Sequence, residues 1–479
     1  MINPIEYLMF QARTQPEAQA IQQLKGGITY GQLLSVVRKT AGKIRKAGIR
    51  PEHVVVTCLP ERLGWIMTLA LFHEAAISCS NHGYAPLEPG LGADWVISNQ
   101  RSPEFAGDRT ILIDQAWLGE RREETTDIGP NQYASEASIC RLVLTSGTTG
   151  QTKAVPYSIA MLRARLGSAS SYWSSSAHEA NMMPLCTVGG FLSALNCAAV
   201  ATPFYVFSSA QELVSLLQTF KVAGLTGSPA QLAMLVKSLA DNSPPFASLT
   251  TVRYAGSSVS PALLEQLKSR LCRNVMNVYG STEVGGVCSV RAQQSGDDAI
   301  AAGYPVPTAE VEVVDELGQP LGVGQEGVIR TRSLSMACEY FRNPEESRKF
   351  FRDGWFYPGD RGRLLDDGLL VLAGRESELI NCGGVKVDPA QIDQWLLDHE
   401  GVIDAAAFGI KGKAGMEEVG AALVIPEGFD LEALHAALLT RLGKAKAPKQ
   451  YFRVAEIPRN EMGKVVRAQL GGIVAKGKP

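Results

Sequence analysis

Residues 144 to 154, "LTSGTTGQTKA", gather groups that can grip an anion: the hydroxyls of Thr145, Ser146, Thr148 and Thr149, the glycines Gly147 and Gly150, and the ammonium of Lys153. Glycine lets a backbone turn its N–H groups inward to form an anion-binding concavity, and hydroxyls donate with little bulk. Such a bend suits a phosphate. A solvated surface loop has the same composition. The stretch is not the common nucleotide loop G-x-x-x-x-G-K-[ST], because that spacing is absent and Ala154 follows the lysine.

Three more stretches carry possible chemistry. "NVYGSTEVGG", 277 to 286, runs an apolar segment into Tyr279, a glycine, two hydroxyls and Glu283. An aromatic face, a hydroxyl at Thr282 and a carboxylate suit a nucleotide and its Mg²⁺; a capped helix start uses the same residues. Between 354 and 389, Asp360 follows a Pro-Gly turn and Arg375 ends a hairpin, so both can face a sugar or simply form a surface ion pair. In "PRNEMGKVVR", 458 to 467, Lys464 follows a glycine in a polar turn, where a lysine is ordinarily solvated.

The elements that must position these residues are readable. "HVVVTCL", "RTILID", "CRLVLTS", "FYVF" and "TVRYAG" read as buried strands, whereas "YGQLLSVVRKTAGKIRKAG", "AQELVSLLQTFKVA" and "SPALLEQLKSRLC" have helical spacing. Their alternation predicts α/β architecture, with sheets covered by helices. Near residue 310 the pattern turns to glycine-punctuated alternation, which predicts antiparallel hairpins; the last hundred or so residues can form a separate α+β unit. The boundary falls at Arg375 to Ser377. A chain of 479 residues exceeds the size at which one core stops growing.

Bulk composition excludes some partners. A net charge of −2 supplies no basic face for nucleic acid. The nine cysteines include no C-x-x-C pair, and the six histidines lack metal-ligand spacing, so buried free thiols in a reducing compartment are expected. Ala180 to Gln211 lacks any charged residue, yet Asn196, Pro203 and a glycine pair interrupt it. A buried helix followed by a strand is expected there, not a membrane span. The opening "MINPIEYLMFQARTQPEAQA" has early charges and no signal-peptide core, so a cytoplasmic protein is expected.

In this order and at these separations, the four stretches resemble the adenylate-forming superfamily of acyl- and aryl-CoA synthetases, peptide-synthetase adenylation domains and luciferases. "GITYGQLLSVVRKTAGKIRKAGI", "GYPVPTAEVEVVDELGQPLGVGQEGVIRTRS" and "AKAPKQYFRVAEIPRNEMGKVVR" are similar to its opening helix, central β segment and C-terminal signature. The resemblance implies a large N-terminal domain (1–374) of helix-covered sheets plus a β-barrel-like part, a hinge (375–377, with Ser377) and a small mobile C-terminal lid (378–479). It implies attack of a carboxylate on ATP to give an acyl-adenylate, then attack by a thiol. By the same resemblance, Thr145 to Gly150 and Lys153 hold phosphates; Gly256, Ser257, Ser258 and Tyr279 hold adenine; Thr282 meets the α-phosphate and Glu283 the Mg²⁺. Asp360 and Arg375 hold the ribose, Lys464 stabilises charge during adenylation, and Gly383 and Gly384 later approach the pantetheine arm.

Departures from the family pattern are Thr152 and Ala154 around the lysine, Thr187 where many relatives have histidine, Pro358 before "GD", and Ser377 at the hinge. The acyl pocket is expected among Leu185, Thr187, Gly190, Gly227, Ser228, Gly285, Gly286 and Val287. That lining is small and apolar, with no acid to receive an ammonium group, which argues for an aromatic or bulky aliphatic acid over an amino acid. Coenzyme A is the expected acceptor. A separate carrier protein, a catalytically silent nucleotide-binding relative and a kinase-like hydrolase are the alternatives.

Overall fold

In a computed structural model of the chain, the alternating strands and helices assemble into two helix-covered sheets and a small α+β unit. The structure describes residues 3–81, 89–101, 109–114, 117, 129–146, 152–169, 178–240, 244–291, 301–382, 385–412, 417–460 and 463–476. Among these, one sheet has six strands in the order Thr110–Leu112, Trp95–Ser98, Val54–Cys58, Ile77–Ser80, Ile139–Ser146 and Thr152–Ser158. All neighbours run parallel except the last pair. Val54–Cys58 shows no polar alternation because all five of its residues are buried, as a strand covered on both faces requires.

The second sheet has twelve strands among the described residues. Its parallel half, Glu179–Asn181, Gly224–Gly227, Thr251–Ala255 and Val275–Ser281, turns antiparallel at Gly285–Arg291. It continues through Ala301–Pro305, Leu370–Arg375, Asp360–Leu364 and Gly327–Ser333. The expected barrel-like part is this antiparallel half, packed around Val287, Ile329, Phe356 and Leu370. The parallel-to-antiparallel switch sets the site: it leaves an open crevice beyond the strand ends, where ligands bind in α/β sheets.

Local chemistry fixes the helices. Tyr30–Ala47 starts with a capping box between Thr29 and Gln32 and stops at Gly48, whose φ is 110°. Pro229–Lys237 starts with a second box, Ser228 with Gln231, and has proline in its first turn. The uncharged run near residue 190 is the helix Val188–Val200 followed by the strand Phe204–Tyr205. Phe191 of that helix meets Trp65 and Phe72 edge-on in the core. Among the described residues, no helix is long and apolar enough to cross a membrane. The nine cysteines form no disulfide, and six are buried.

The small unit contains the hairpin Ile380–Cys382/Val385–Val387 and a sheet of Asp404–Lys411, Glu417–Val424 and Gln450–Arg453. Its own core includes Ile392, Leu396, Ala405, Leu423 and Leu434. Arg375 is the last residue of a large-sheet strand, Ile380 is the first of the small hairpin, and exposed Ser377 lies in the turn between them.

One carboxylate in the large unit makes stability depend on pH. Both oxygens of Glu61 lie 3.2 Å from the Leu185 N–H. Burial pushes its carboxyl up to about 7, against the opposing pull of that N–H and of Arg141. A carboxyl with a raised folded pKa holds its proton better folded than unfolded, where its value is about 4.3. Its stabilising effect is full below the unfolded value and is lost as pH rises through the folded one. Glu61→Gln keeps an acceptor for Leu185 without the charge. We expect it to melt close to wild type near pH 4 and above wild type at pH 8; equal melting temperatures at both pH values would remove this assignment.

Candidate active site

A cleft of about 550 Å³ separates the small unit from the large one. Gly256, Ser257, Ser258, Tyr279, Asp360, Arg375 and Lys464 all line it. Asp360 opens one strand and Arg375 closes its neighbour, and the two are direct cross-strand partners. Arg375 Nε donates to Asp360 Oδ1 at 3.1 Å, while the Tyr279 hydroxyl donates to Oδ2 at 2.7 Å. Burial, and then the charge of Asp360, hold the Tyr279 hydroxyl well above its ordinary pKa, so it remains a donor. Asp360 and Arg375 are therefore an ion pair, as the bland sequence reading allowed, but one set in the cleft wall instead of on open surface.

Thr282 and Glu283 lie in a hairpin turn between Val275–Ser281 and Gly285–Arg291, not at a helix start. The turn is tight: Gly285 has φ of 87°, and a side chain on Gly280 would collide with the Gly285 carbonyl. Arg165, which sequence reasoning missed, braces it. Its Nη2 donates to the carbonyls of Thr282 (2.9 Å) and Glu283 (3.1 Å), its Nε to the Ser335 carbonyl (3.1 Å) and its Nη1 to the Tyr157 hydroxyl (2.6 Å). Glu283 is 7% exposed, and its Oε1 accepts from the Tyr340 hydroxyl at 2.8 Å. Ser281 Oγ, buried where the cleft meets a second cavity, has no hydrogen-bond partner among the described residues. An orphaned hydroxyl beside a buried carboxylate is what a polyanion with its cation would satisfy.

Thr145 and Lys153 face each other across the antiparallel pair. Lys153 is 5% exposed, with Nζ 2.6 Å from the Glu346 carboxylate and 3.6 Å from the centre of the Phe350 ring. The hydrogen bond from Lys153, followed by that from Lys349, holds the Glu346 carboxyl below its ordinary range. The sequence reading gave Lys153 no counter-ion. Gly147, Thr148, Thr149, Gly150, Gly383 and Gly384, together with the side chain of Ser146, lie outside the described residues.

The lysine turn of the small unit reaches the cleft. Asn460 Oδ1 accepts from the Lys464 N–H, and Asn460 N donates to the Lys464 carbonyl, both at 2.9 Å. Lys464 Nζ lies 3.8 Å from Glu378 Oε1, and Arg467 binds Glu378 and Asp393 at 3.1 and 2.6 Å. Burial, then Arg375, lower the Lys464 ammonium pKa from its ordinary value. Two contacts seat the small unit on the large one: Gln394 Nε2, from the helix Pro389–Leu397, donates to Ser258 Oγ, and Gly463 of the lysine turn sits against Ala230. Gly463 has φ of 73°, and a Cβ there would be driven into the Cβ of Ala230. We expect Gly463→Ala to slow acyl-adenylate formation on the order of 10²-fold by displacing the ammonium, with little change in thioester formation from supplied adenylate. Unaltered pyrophosphate release would contradict this geometry.

The second cavity, about 360 Å³, shares Gly256, Ser257, Ser281, Arg375 and Lys464 with the cleft. Thr187, Gly285 and Gly286 of the expected acyl pocket line it. Five other expected positions are placed differently. Leu185 packs into the large core, and Gly190 faces the Pro184 carbonyl of its own helix start. Gly227 faces Met182 and Leu232, Ser228 is consumed as a helix cap, and Val287 packs into the antiparallel core and borders the cleft instead. The expected small, apolar lining is also corrected. Asn181, Ser193, Asn196, Thr226 and Arg253 line the cavity, and Arg253 Nη1 donates to buried Glu179 Oε2 at 2.7 Å. The signal in the sequence was an arginine inside the strand "TVRYA" and two polar residues three apart in an apolar helix.

A large unit carrying a nucleotide-sized cleft, and a small unit that inserts a lysine over it, define an adenylate-forming ligase fold. The chain belongs to the AMP-binding enzyme family: the family model matches residues 8–341, and that of the AMP-binding enzyme C-terminal domain matches 391–464. It is 26% identical over 491 residues to a 2-succinylbenzoate–CoA ligase of Geobacillus sp. (strain WCH70), covering 98% of this chain and 97% of that protein. A 4-chlorobenzoate–CoA ligase of Arthrobacter sp. is 26% identical over 504 residues, covering 98% and 95%. The solved o-succinylbenzoate coenzyme A synthetase of Bacillus subtilis, in complex with AMP, shares the fold with a TM-score of 0.86 at 22% identity over 97% of each chain.

Proposed function

We propose that the chain is an AMP-forming carboxylate–CoA ligase. A carboxylate oxygen attacks the α-phosphorus of ATP, the bond to the β-phosphate oxygen breaks, and acyl-adenylate and pyrophosphate result. The thiol of coenzyme A then attacks the acyl carbon, and AMP leaves. The observation that carries this reading is the position of Lys464 and Arg375 on the wall common to both cavities. A cation there meets the developing charge between acid and α-phosphate, where positioning and electrostatics suffice because the attacking carboxylate is already ionised. Thr282 lies beside it, Tyr279 and Gly256–Ser258 border the nucleotide space, and the Asp360–Arg375 pair faces the ribose. Glu283 would hold Mg²⁺, which supplies neutralisation of phosphate charge when bound, and Lys153 with the hydroxyl- and glycine-rich stretch 145–150 receives the outer phosphates.

The relatives named as CoA ligases support coenzyme A as acceptor and an aryl or acyl acid as substrate. We assign the units to 1–374 and 378–479, with Ser377 in the hinge about which the lid rotates between half-reactions. We assign Gly383 and Gly384 to the approach of the pantetheine arm. A cytoplasmic setting, where ATP and coenzyme A are both present, fits the reaction. Pyrophosphate release from ATP across a panel of carboxylic acids, with and without coenzyme A, tests this. AMP and a thioester are expected; ADP as product, or no pyrophosphate with any acid, overturns the reading. Thioester formed only on a carrier protein would move the acceptor.

A further inference from the structure

Lys153 reaches the cavity wall with an anion already beside it. Its strand is tied to a distant segment by the Phe341 N–H, which donates to the Ala154 carbonyl at 2.8 Å. Just beyond, Asn343 caps the helix Pro344–Phe350 by accepting from the Glu346 N–H at 3.1 Å, and the Tyr340 N–H donates to Ser347 Oγ at 2.9 Å. These bonds bring the first turn of the helix to the lysine. Its ammonium then stands 2.6 Å from Glu346 Oε2, 3.6 Å from the centre of the Phe350 ring and 5.0 Å from that of Tyr340. Ring faces and a carboxylate together hold a charge that has left water.

The plain account of Glu346 is a helix-stabilising acid. It lies in the first turn and pairs with Lys349, three positions on, at 2.8 Å. That account covers Oε1 and leaves Oε2, which is buried against Lys153. Location points to what competes for the lysine. Lys153, Tyr340 and Glu283 all line the 360 Å³ cavity, and the Tyr340 hydroxyl donates to Glu283 at 2.8 Å. The ring that shields the ammonium therefore also orients the carboxylate assigned to Mg²⁺. Outer phosphates arriving with that cation meet a lysine whose charge is already matched. Drawing it toward them breaks the pair with Glu346, and Lys349 remains to match the carboxylate that is left.

We propose that Glu346 is the resident counter-ion of Lys153 and competes with the outer phosphates of ATP for it, setting the affinity for ATP and pyrophosphate but not for AMP. The inference rests on the ligase reading for the place of the phosphates and adds an affinity-setting residue to it. Calorimetric titration of Mg²⁺–ATP, Mg²⁺–pyrophosphate and AMP into the full chain tests it. A lysine free of its partner about a tenth of the time binds phosphate about 10-fold more weakly than one always free, so Glu346→Gln should bind ATP and pyrophosphate about 10-fold tighter than wild type. AMP should bind as it does to wild type, which also reports that the variant is folded. Glu345→Gln removes the same charge from the neighbouring position, where the side chain is 77% exposed, and should leave all three affinities within about twofold. In a Lys153→Met background, Glu346→Gln should no longer tighten ATP.

ATP bound by wild type but no tighter, or more weakly, by Glu346→Gln would overturn the proposal and leave the ligase reading standing. Equal tightening by Glu345→Gln, or tightening of AMP as much as of ATP, would overturn it too. Glu346→Asp withdraws the carboxylate by one carbon and should tighten ATP by a smaller factor; it decides the question should the amide variant not fold. Tighter ATP without pyrophosphate release from any acid would remove the ligase reading alone, and no ATP binding by wild type would remove both.

Discussion

Lys464→Ala is expected to slow acyl-adenylate formation by about 10²–10³-fold, the loss typical of a single preorganised transition-state donor. The ammonium lies on the wall common to nucleotide cleft and acyl cavity, so it meets charge that exists only while the carboxylate–phosphorus bond forms. It has no comparable part in thiol attack, where the lid is proposed to have turned. Supplied acyl-adenylate should therefore be converted to thioester at a near wild-type rate. Single-turnover measurement of each half-reaction separates these outcomes; equal damage to both would sink the assignment.

Arg165→Met should be the second severe change. The guanidinium serves the carbonyls of Thr282, Glu283 and Ser335 and contacts the Tyr157 hydroxyl, all within 2.6 to 3.1 Å. Methionine matches much of its length and none of its donors. The Thr282 and Glu283 carbonyls keep a second donor each, the Tyr157 hydroxyl and the Ala337 N–H, whereas the Ser335 carbonyl loses the arginine, so stability should fall by about 1–3 kcal/mol. At a temperature where the variant is folded, pyrophosphate release should still fall by about 10²-fold, because the Thr282–Glu283 turn loses its register with the phosphate. Raised Mg²⁺ should recover part of that loss if Glu283 is the displaced ligand. A variant that is merely less stable, with ordinary turnover, would make Arg165 a packing residue only.

The contrast between these two residues shows what the sequence could carry. Lys464, Asp360, Arg375 and Glu283 stand out in the sequence because each lies within two residues of a glycine, at a turn or at the end of a strand, where local composition departs from that of a core. Arg165 sits in an ordinary helix and takes its meaning from carbonyls more than 100 positions away. Glu346 is legible as the first-turn acid of a helix, but its partnership with Lys153 exists only in three dimensions. The acyl cavity was the least legible part. Glycine-rich stretches read as pocket floor, yet Gly190 and Gly227 serve close packing of neighbouring chain, and Ser228 serves a cap. Polar residues within apolar runs, Asn196 and Arg253, were the better signal; Asn196 was read only as an interruption of the uncharged run, and Arg253 passed as part of a buried strand.

The architecture itself followed from patterning. Doubly covered strands are continuous in hydrophobicity, amphipathic helices alternate with them, and glycine-punctuated alternation marks the antiparallel half of the large sheet. Periodicity could not reveal that this half is continuous with the parallel half through one hairpin, because that depends on register across Tyr279/Gly280.

The wall that both cavities have in common also governs leakage. Because Lys464 and Arg375 border the two spaces at once, the small unit, seated through Gly463 on Ala230 and through Gln394 on Ser258, stands over acid and nucleotide together. How far water reaches the mixed anhydride is thus set by how long that seat holds. Loosening it, as Ser258→Ala would, should raise the wasteful yield of free acid and AMP per ATP even where the rate of activation scarcely changes.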